Sequence, residues 1–376
     1  MDKQHMPESQ QPHLLPLESY LNDKVLSDRN AFPQRDDNYF SQYINIKNWL
    51  TDRHYTDADA GLATDGNRYT HHNLGHVNDV IEVAGSMLQI KKNKELLSGF
   101  EAYVLLVAIL LHDSGNAEGR KDHEKKTAQI IREMKDVAGT GTQEKKLISK
   151  IAQSHGGTAL YKNISTKDTI TTLINSIQTT FSNDVTIRPR LLAAILRLSD
   201  ELAEKPSRAN SITIKEAYDL ERSTHLPDVI HNLYCNIIQI SIIPESHEIK
   251  ISFDVDKNLL QKTFTIEKKD TDGNKVIGDI YLIDYIAIRL QKSDRERRYC
   301  NRFMGGLLHF DSISSTIEIT DDYETLETID IKIEERGFPD SDSGTSIKSI
   351  NSRLDGKTLF DSYNEVTEHC NQKEKL

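Results

Sequence analysis

The apolar positions of the chain change period once. From Thr70 to about Glu204 they recur every three or four residues, the spacing of amphipathic helices. Val77, Val80, Ile81, Ala84, Met87 and Leu88 form one stripe, and Ala102–Leu111 is apolar all round, as a central buried helix is. Further helices are expected at Asp122–Met134, Glu144–Ser154, Lys167–Ile177 and Arg188–Glu204, the last with Pro189 in its first turn. Mixed helical spacing at Asp37–Trp49 opens the folded part. Beyond Pro206 the period becomes two: Ile249, Ile251, Phe253 and Val255 alternate with Lys250, Ser252 and Asp254, which predicts a half-buried strand. Asn236–Ile243 and Thr263–Glu267 are its expected neighbours. Asp279–Tyr299 returns to helical spacing, and Ile317/Ile319 and Ile329/Ile331/Ile333 predict two more strands. The expected fold is mainly α, a helical bundle followed by a smaller α+β module. Its divisions are a flexible N-terminal segment (1–35), the bundle (36–205), the module (206–338) and a polar tail (339–376). There is no internal repeat.

A chain of 376 residues has room for two domains. Its formal net charge of −11 argues against binding long nucleic acid, which needs a basic surface, but leaves room for a small phosphorylated substrate held by local cations. Three scattered cysteines, Cys235, Cys300 and Cys370, form no CxxC pair, so no disulfide framework or thiolate zinc site is indicated. Met1–His13 is polar, without the apolar run of a secretory signal, and the longest apolar stretch is about half a membrane span. A soluble cytoplasmic protein with no membrane partner is expected.

Three short segments carry chemistry. Thr70-His71-His72-Asn73-Leu74-Gly75-His76 opens an amphipathic helix, with His72 and His76 four apart on one face. Leu110-Leu111-His112-Asp113-Ser114-Gly115 ends the buried helix in a His-Asp pair, costly to bury unless something binds it. Leu196-Arg197-Leu198-Ser199-Asp200-Glu201 places an aspartate late in another apolar-striped helix. Imidazole and carboxylate together suit a divalent ion with positions left open for water.

With His76, His112-Asp113 and Asp200 in this order and setting, about a third of the chain resembles the HD superfamily of metal-dependent phosphohydrolases. The resemblance implies an HD-type helical bundle in which His76, His112, Asp113 and Asp200 hold one or two divalent ions (Mn, Fe, Mg or Zn). By the same resemblance His123 and His155 are candidates for a second metal or a phosphate contact, with Asp113 between the ions. His72-Asn73 is similar to the His-Asn-x-x-His pattern of cyclic nucleotide phosphodiesterases, which makes His72 the candidate general acid. Gly115-Asn116 departs from the Gly-Lys or Gly-His that often follows the doublet, so neither the cyclic-dinucleotide nor the deoxynucleotide triphosphohydrolase branch is singled out.

The implied reaction is attack of metal-activated water on a phosphoester or phosphoanhydride bond of a small nucleotide, a (d)NTP or a cyclic (oligo)nucleotide. Besides the metal ligands, His72, Asp113 and His123 are the expected catalytic groups. Arg120, Lys121, Arg197, Lys205 and Arg208 are the cations available for phosphate. Arg295, Arg297, Arg298 and Arg302 read as a solvated basic face, Glu201 and Asp79 as partners of the ligands or ordinary surface charges, and His225, His231, His247 and His309 as structural. A homo-oligomer stays open. Two other readings are a nuclease acting on single-stranded nucleic acid, disfavoured by the acidic balance, and a non-catalytic nucleotide sensor, disfavoured by the intact quartet.

Overall fold

The computed structural model describes residues 14–56, 70–93, 95–118, 123–134, 141–219, 228–269, 275–334 and 351–363. The bundle is built around one helix. α1 (Pro16–Ser27), α2 (Tyr39–Leu50) and α3 (Leu74–Met87) precede it, and α4 (Gly99–Leu111) is buried along its whole length. A reciprocal cap starts α4: Glu101 N–H donates to Ser98 Oγ at 3.1 Å, and Ser98 N–H donates to the Glu101 carboxylate at 3.0 Å. Gly99 is required at this start, because a Cβ there would lie 2.5 Å from Cζ of Phe32. α5 (His123–Glu133), α6 (Thr142–Gln153), α7 (Thr169–Ile174) and α8 (Pro189–Glu201) follow. α1, α2, α3, α6 and α8 all pack on α4, so the polar groups at its end, His112 and Asp113, are buried.

α9 (Ser211–Asp219) and α10 (Val229–Ile237) lead into a four-stranded sheet. Its order is β3 (Ile238–Ile243), β4 (Glu248–Asp256), β7 (Ser312–Asp321) and β8 (Glu324–Glu334). β4 and β7 run parallel, with Ile249 opposite Ile313 and Phe253 opposite Ile317; the outer pairs are antiparallel. The crossover between β4 and β7 carries a two-stranded ribbon, β5 (Thr263–Lys269) with β6 (Lys275–Tyr281), and the 23-residue helix α11 (Leu282–Met304). Ile249, Ile251, Phe253 and Val255 are buried, as their alternation predicts. α11 lies against α8, so bundle and module share a wall.

Several expectations need correction. The segment expected to be flexible contains α1, where Leu17, Tyr20, Leu21 and Val25 fall on one face and are buried. Thr263–Lys269 pairs with Lys275–Tyr281 and not with β4, and Asp279–Tyr281 is strand, the helix starting at Leu282. The helix expected to run to Glu204 stops at Glu201, and that at Lys167–Ile177 shrinks to Thr169–Ile174. A short hairpin, β1 (Ala159–Tyr161) with β2 (Ile164–Thr166), stands between α6 and α7, and α9 and α10 fill a stretch read only as a boundary. Within the polar tail, Leu354 and Leu359 are buried and Gly356 N–H donates to Asp284 Oδ1 at 3.2 Å. Among the described residues no helix is long and apolar enough to cross a membrane.

Candidate metal centre and its cavity

Asn73 caps α3 by accepting from Gly75 N–H at 2.9 Å, which sets His76 in the first turn, facing inward. His112 follows the last residue of α4, Asp200 sits in the last turn of α8, and His155 follows the end of α6. These helix ends converge. His76 Nε2 lies 3.1 Å from Asp200 Oδ1 and 3.7 Å from Asp113 Oδ2. His112 Nε2 lies 3.5 Å from each of the same two oxygens. The other Asp113 oxygen, Oδ1, is 3.8 Å from His155 Nε2.

Backbone carbonyls set the tautomers. His112 Nδ1–H donates to Ile109 O at 2.7 Å and His155 Nδ1–H to Ala152 O at 2.6 Å, so each ring turns Nε2 toward the carboxylates. His112 Nε2 is buried without a hydrogen-bond partner among the described residues, as is His76 Nδ1. Burial pushes the His112 ring toward the neutral form, but Asp113 and Asp200 outweigh it and lift its pKa to about 9, so without an ion Nε2 carries a proton that a bound cation would displace. Burial and the Arg208 charge lower His76. Burial also opposes the Asp200 charge, yet the two imidazoles hold its carboxyl well below the usual range. A buried Asp113 and a half-buried Asp200 facing two buried imidazoles thus need positive charge between them. An orphaned, correctly oriented Nε2 beside them is a donor set that fits a divalent cation.

The centre opens into a cavity of about 480 Å³, within the usual range for small-molecule sites, about 300–1,000 Å³. Asp113, His155 and Asp200 form one end; Arg208, Arg289 and Lys292 line another part. A larger groove of about 980 Å³ between α1, α3 and the end of β3 contains no histidine or arginine and lies away from this chemistry.

The structure sorts the remaining sequence candidates. His72 lines the cavity, but its Nδ1–H donates to Thr70 O at 2.6 Å and Arg208 Nη2 donates to its Nε2 at 3.4 Å. That arrangement seats the His72 ring between the Thr70 carbonyl and the Arg208 guanidinium. Arg208 faces the cavity. Arg197 reaches its wall but is committed: it donates twice to Glu296, at 2.6 and 2.9 Å, and to Thr169 Oγ1 at 2.9 Å, under the Tyr299 ring. Lys205 turns away to Asp79 at 2.5 Å and Glu82 at 3.3 Å, and does not line the cavity. Arg120, Lys121 and His225 lie outside the described residues, and of His123 only the backbone, at the start of α5, is described. In the basic cluster of α11, Arg297 is fully buried and bonded to Asp294 at 2.7 Å and so does not belong to a solvated face, whereas Arg295 and Arg302 are exposed.

Sequence reasoning missed Arg289, Lys292, Glu204 and the placement of His231, which lines the cavity. Glu204 is a buried acceptor hub. It takes Arg208 Nη1 at 3.0 Å and the Cys235 thiol at 3.0 Å on Oε2, and Arg289 Nη2 at 3.2 Å on Oε1, with His231 Nε2 3.7 Å away. Glu204, His231 and Cys235 have the spacing of a metal site. Two guanidinium groups already neutralise that carboxylate, so a second cation there is electrostatically disfavoured. The only nearby signals were a Glu four residues before Arg208 and an Arg-Leu-Gln-Lys run on α11.

The chain matches the model of the HD-CE family over residues 52–262, more than half its length and beyond the bundle into the first strands of the sheet. Comparison with curated proteins and with solved structures returns no match. With buried histidines and aspartates meeting at the helix ends of the matched region, the chain belongs to the HD-CE family and carries an HD-type domain.

Proposed function

We propose that this protein is a metal-dependent phosphohydrolase acting on a small nucleotide, either a (d)NTP or a cyclic (oligo)nucleotide. The observation that carries this reading is the convergence of His76, His112, Asp113 and Asp200, with imidazoles oriented by backbone carbonyls, at the end of a cavity that also holds arginine and lysine. His76, His112, Asp113 and Asp200 would hold the ion, with His155 beside the second oxygen of Asp113. When bound, a divalent ion supplies Lewis acidity and lowers the pKa of the water it meets, typically to about 7. The carbonyls of Ile109 and Ala152 keep His112 and His155 from rotating. Arg208, steadied by His72 and Glu204, places positive charge where a phosphoryl group would acquire negative charge. His76, His112 and Asp113 are buried, and a low-polarity surrounding strengthens each of these interactions.

The test is incubation of the purified protein with manganese or magnesium and a panel of NTPs, dNTPs and cyclic nucleotides, with products identified by mass spectrometry. The His112→Gln, Asp113→Asn double variant is the control. Consumption of one nucleotide class by the protein, and none by the variant, is the expected outcome. Tight nucleotide binding with no turnover under any metal would replace the enzyme by a nucleotide sensor.

A further inference from the structure

We propose that Arg289 and Lys292, on the crossover helix α11, bind a second phosphoryl group of the substrate, so that the cavity selects a polyphosphate over a lone phosphate. The inference rests on the phosphohydrolase reading and names its substrate class. Glu204 holds two guanidinium groups side by side, Arg208 on Oε2 at 3.0 Å and Arg289 on Oε1 at 3.2 Å. Glu201 takes Lys292 at 2.6 Å and Arg289 at 3.5 Å. Three cations therefore share two carboxylates, and Lys167, exposed at the mouth, makes no ion pair among the described residues. Arg289 Nε is buried without a hydrogen-bond partner among them, and the guanidinium lies over the Tyr234 ring at 5.3 Å, which fixes its plane.

A chain of contacts links these cations to the metal centre. The His76 and His72 rings are 5.8 Å apart, Arg208 donates to His72, and Glu204 joins Arg208 to Arg289. A phosphoryl group at the histidines and aspartates would leave its neighbour beside Arg208, and the continuing chain beside Arg289 and Lys292. Around Glu201 and Glu204 the lining sets Arg208, Arg289, Lys292 and Lys167 against two carboxylates, while Arg197 is paired with Glu296 and Asp113 and Asp200 stand at the metal centre. Such a locally positive wall attracts a polyanion more than a monoanion, and a guanidinium fork matches phosphate oxygens. Both selecting residues belong to the C-terminal module, so that module contributes to the substrate site itself.

The test is titration calorimetry of the full-length protein, without added metal, with inorganic tripolyphosphate and with orthophosphate. Tripolyphosphate should bind at least about tenfold tighter, a difference of about 1.4 kcal/mol. Lys292→Gln and Arg289→Gln should each erase most of that ratio, and Arg289→Lys should restore part of it. Lys292 is partly exposed, so its variant keeps the test informative if Arg289→Gln does not fold. Equal affinity for the two anions in the unaltered protein, or a ratio unchanged in both Gln variants, overturns the proposal. If nucleotides are hydrolysed while the ratio ignores Arg289 and Lys292, only this inference falls. If the ratio depends on them and no nucleotide turns over, the phosphohydrolase reading falls and the polyphosphate site stands.

Discussion

Glu144 shows how a single buried carboxylate can work against the fold. It is enclosed at the first turn of α6 and accepts from the Tyr39 hydroxyl at 3.3 Å. Burial raises its pKa; the Tyr39 and Gly141 hydrogen bonds offset this only in part. A carboxyl with a folded pKa above its unfolded value contributes stability at low pH and loses it as pH rises through the folded pKa. Glu144→Gln keeps an acceptor for Tyr39 and removes the charge. Its thermal unfolding midpoint should exceed the parent's at pH 8, and the gap should narrow as pH falls toward the ordinary glutamate range. A variant no more stable at pH 8 would contradict this. At the same scale, the meeting of His76, His112 and Asp200 in a cluster able to hold a metal was legible because short local contexts mark them: a doublet ending an apolar helix, an aspartate in an apolar-striped one. The cationic wall was legible only in part: Arg208 was named, Arg289 and Lys292 were not. Lys205 and Arg208 lie three residues apart in one turn-rich segment, and only the folded chain shows that the first turns out to Asp79 while the second turns in to His72. His231 looked structural because nothing near it in sequence reveals that α10 delivers it to the cavity.

Between elements, α8 and α11 are fastened by Arg197, which joins Glu296 and Thr169 and lies 4.5 Å from the centroid of the Tyr299 ring. Both charges of the pair are largely buried. Removing one partner strands the other, and breaking such a pair typically costs about 3–5 kcal/mol. Arg197→Ala should therefore lower the urea midpoint by a stability loss of about 3 kcal/mol. A loss below about 1 kcal/mol, the value of an exposed pair, would show that the clasp is solvated. The long helices and the strands at Ile249–Val255 and Ile329–Ile333 were readable because each repeats its apolar period over several residues. The β5–β6 ribbon and the β1–β2 hairpin were not, since pairing partners are chosen by tertiary packing and short strands carry too few positions to establish a period.

For the whole molecule, the metal centre ties three helix ends and one interhelical turn together, so an ion bound only by the folded state must stabilise all of them. Adding manganese to chelator-treated protein should raise the unfolding midpoint, by about 2.7 kcal/mol of stability at a hundred times the dissociation constant. Asp200→Asn should abolish most of that rise; an undiminished rise would place the ion elsewhere. The parallel pairing of β4 with β7 also has a consequence for the chain as it is made. Every proposed metal ligand has been synthesised by residue 200, within helices that pack locally. The crossover is different: α11 is held at both ends only once β7, residues 312–321, has docked beside β4. Because contacts distant in sequence close late, a growing chain can take up its ion before it owns the wall that chooses a substrate. Birth order thus separates the reactive half of the site from the discriminating half.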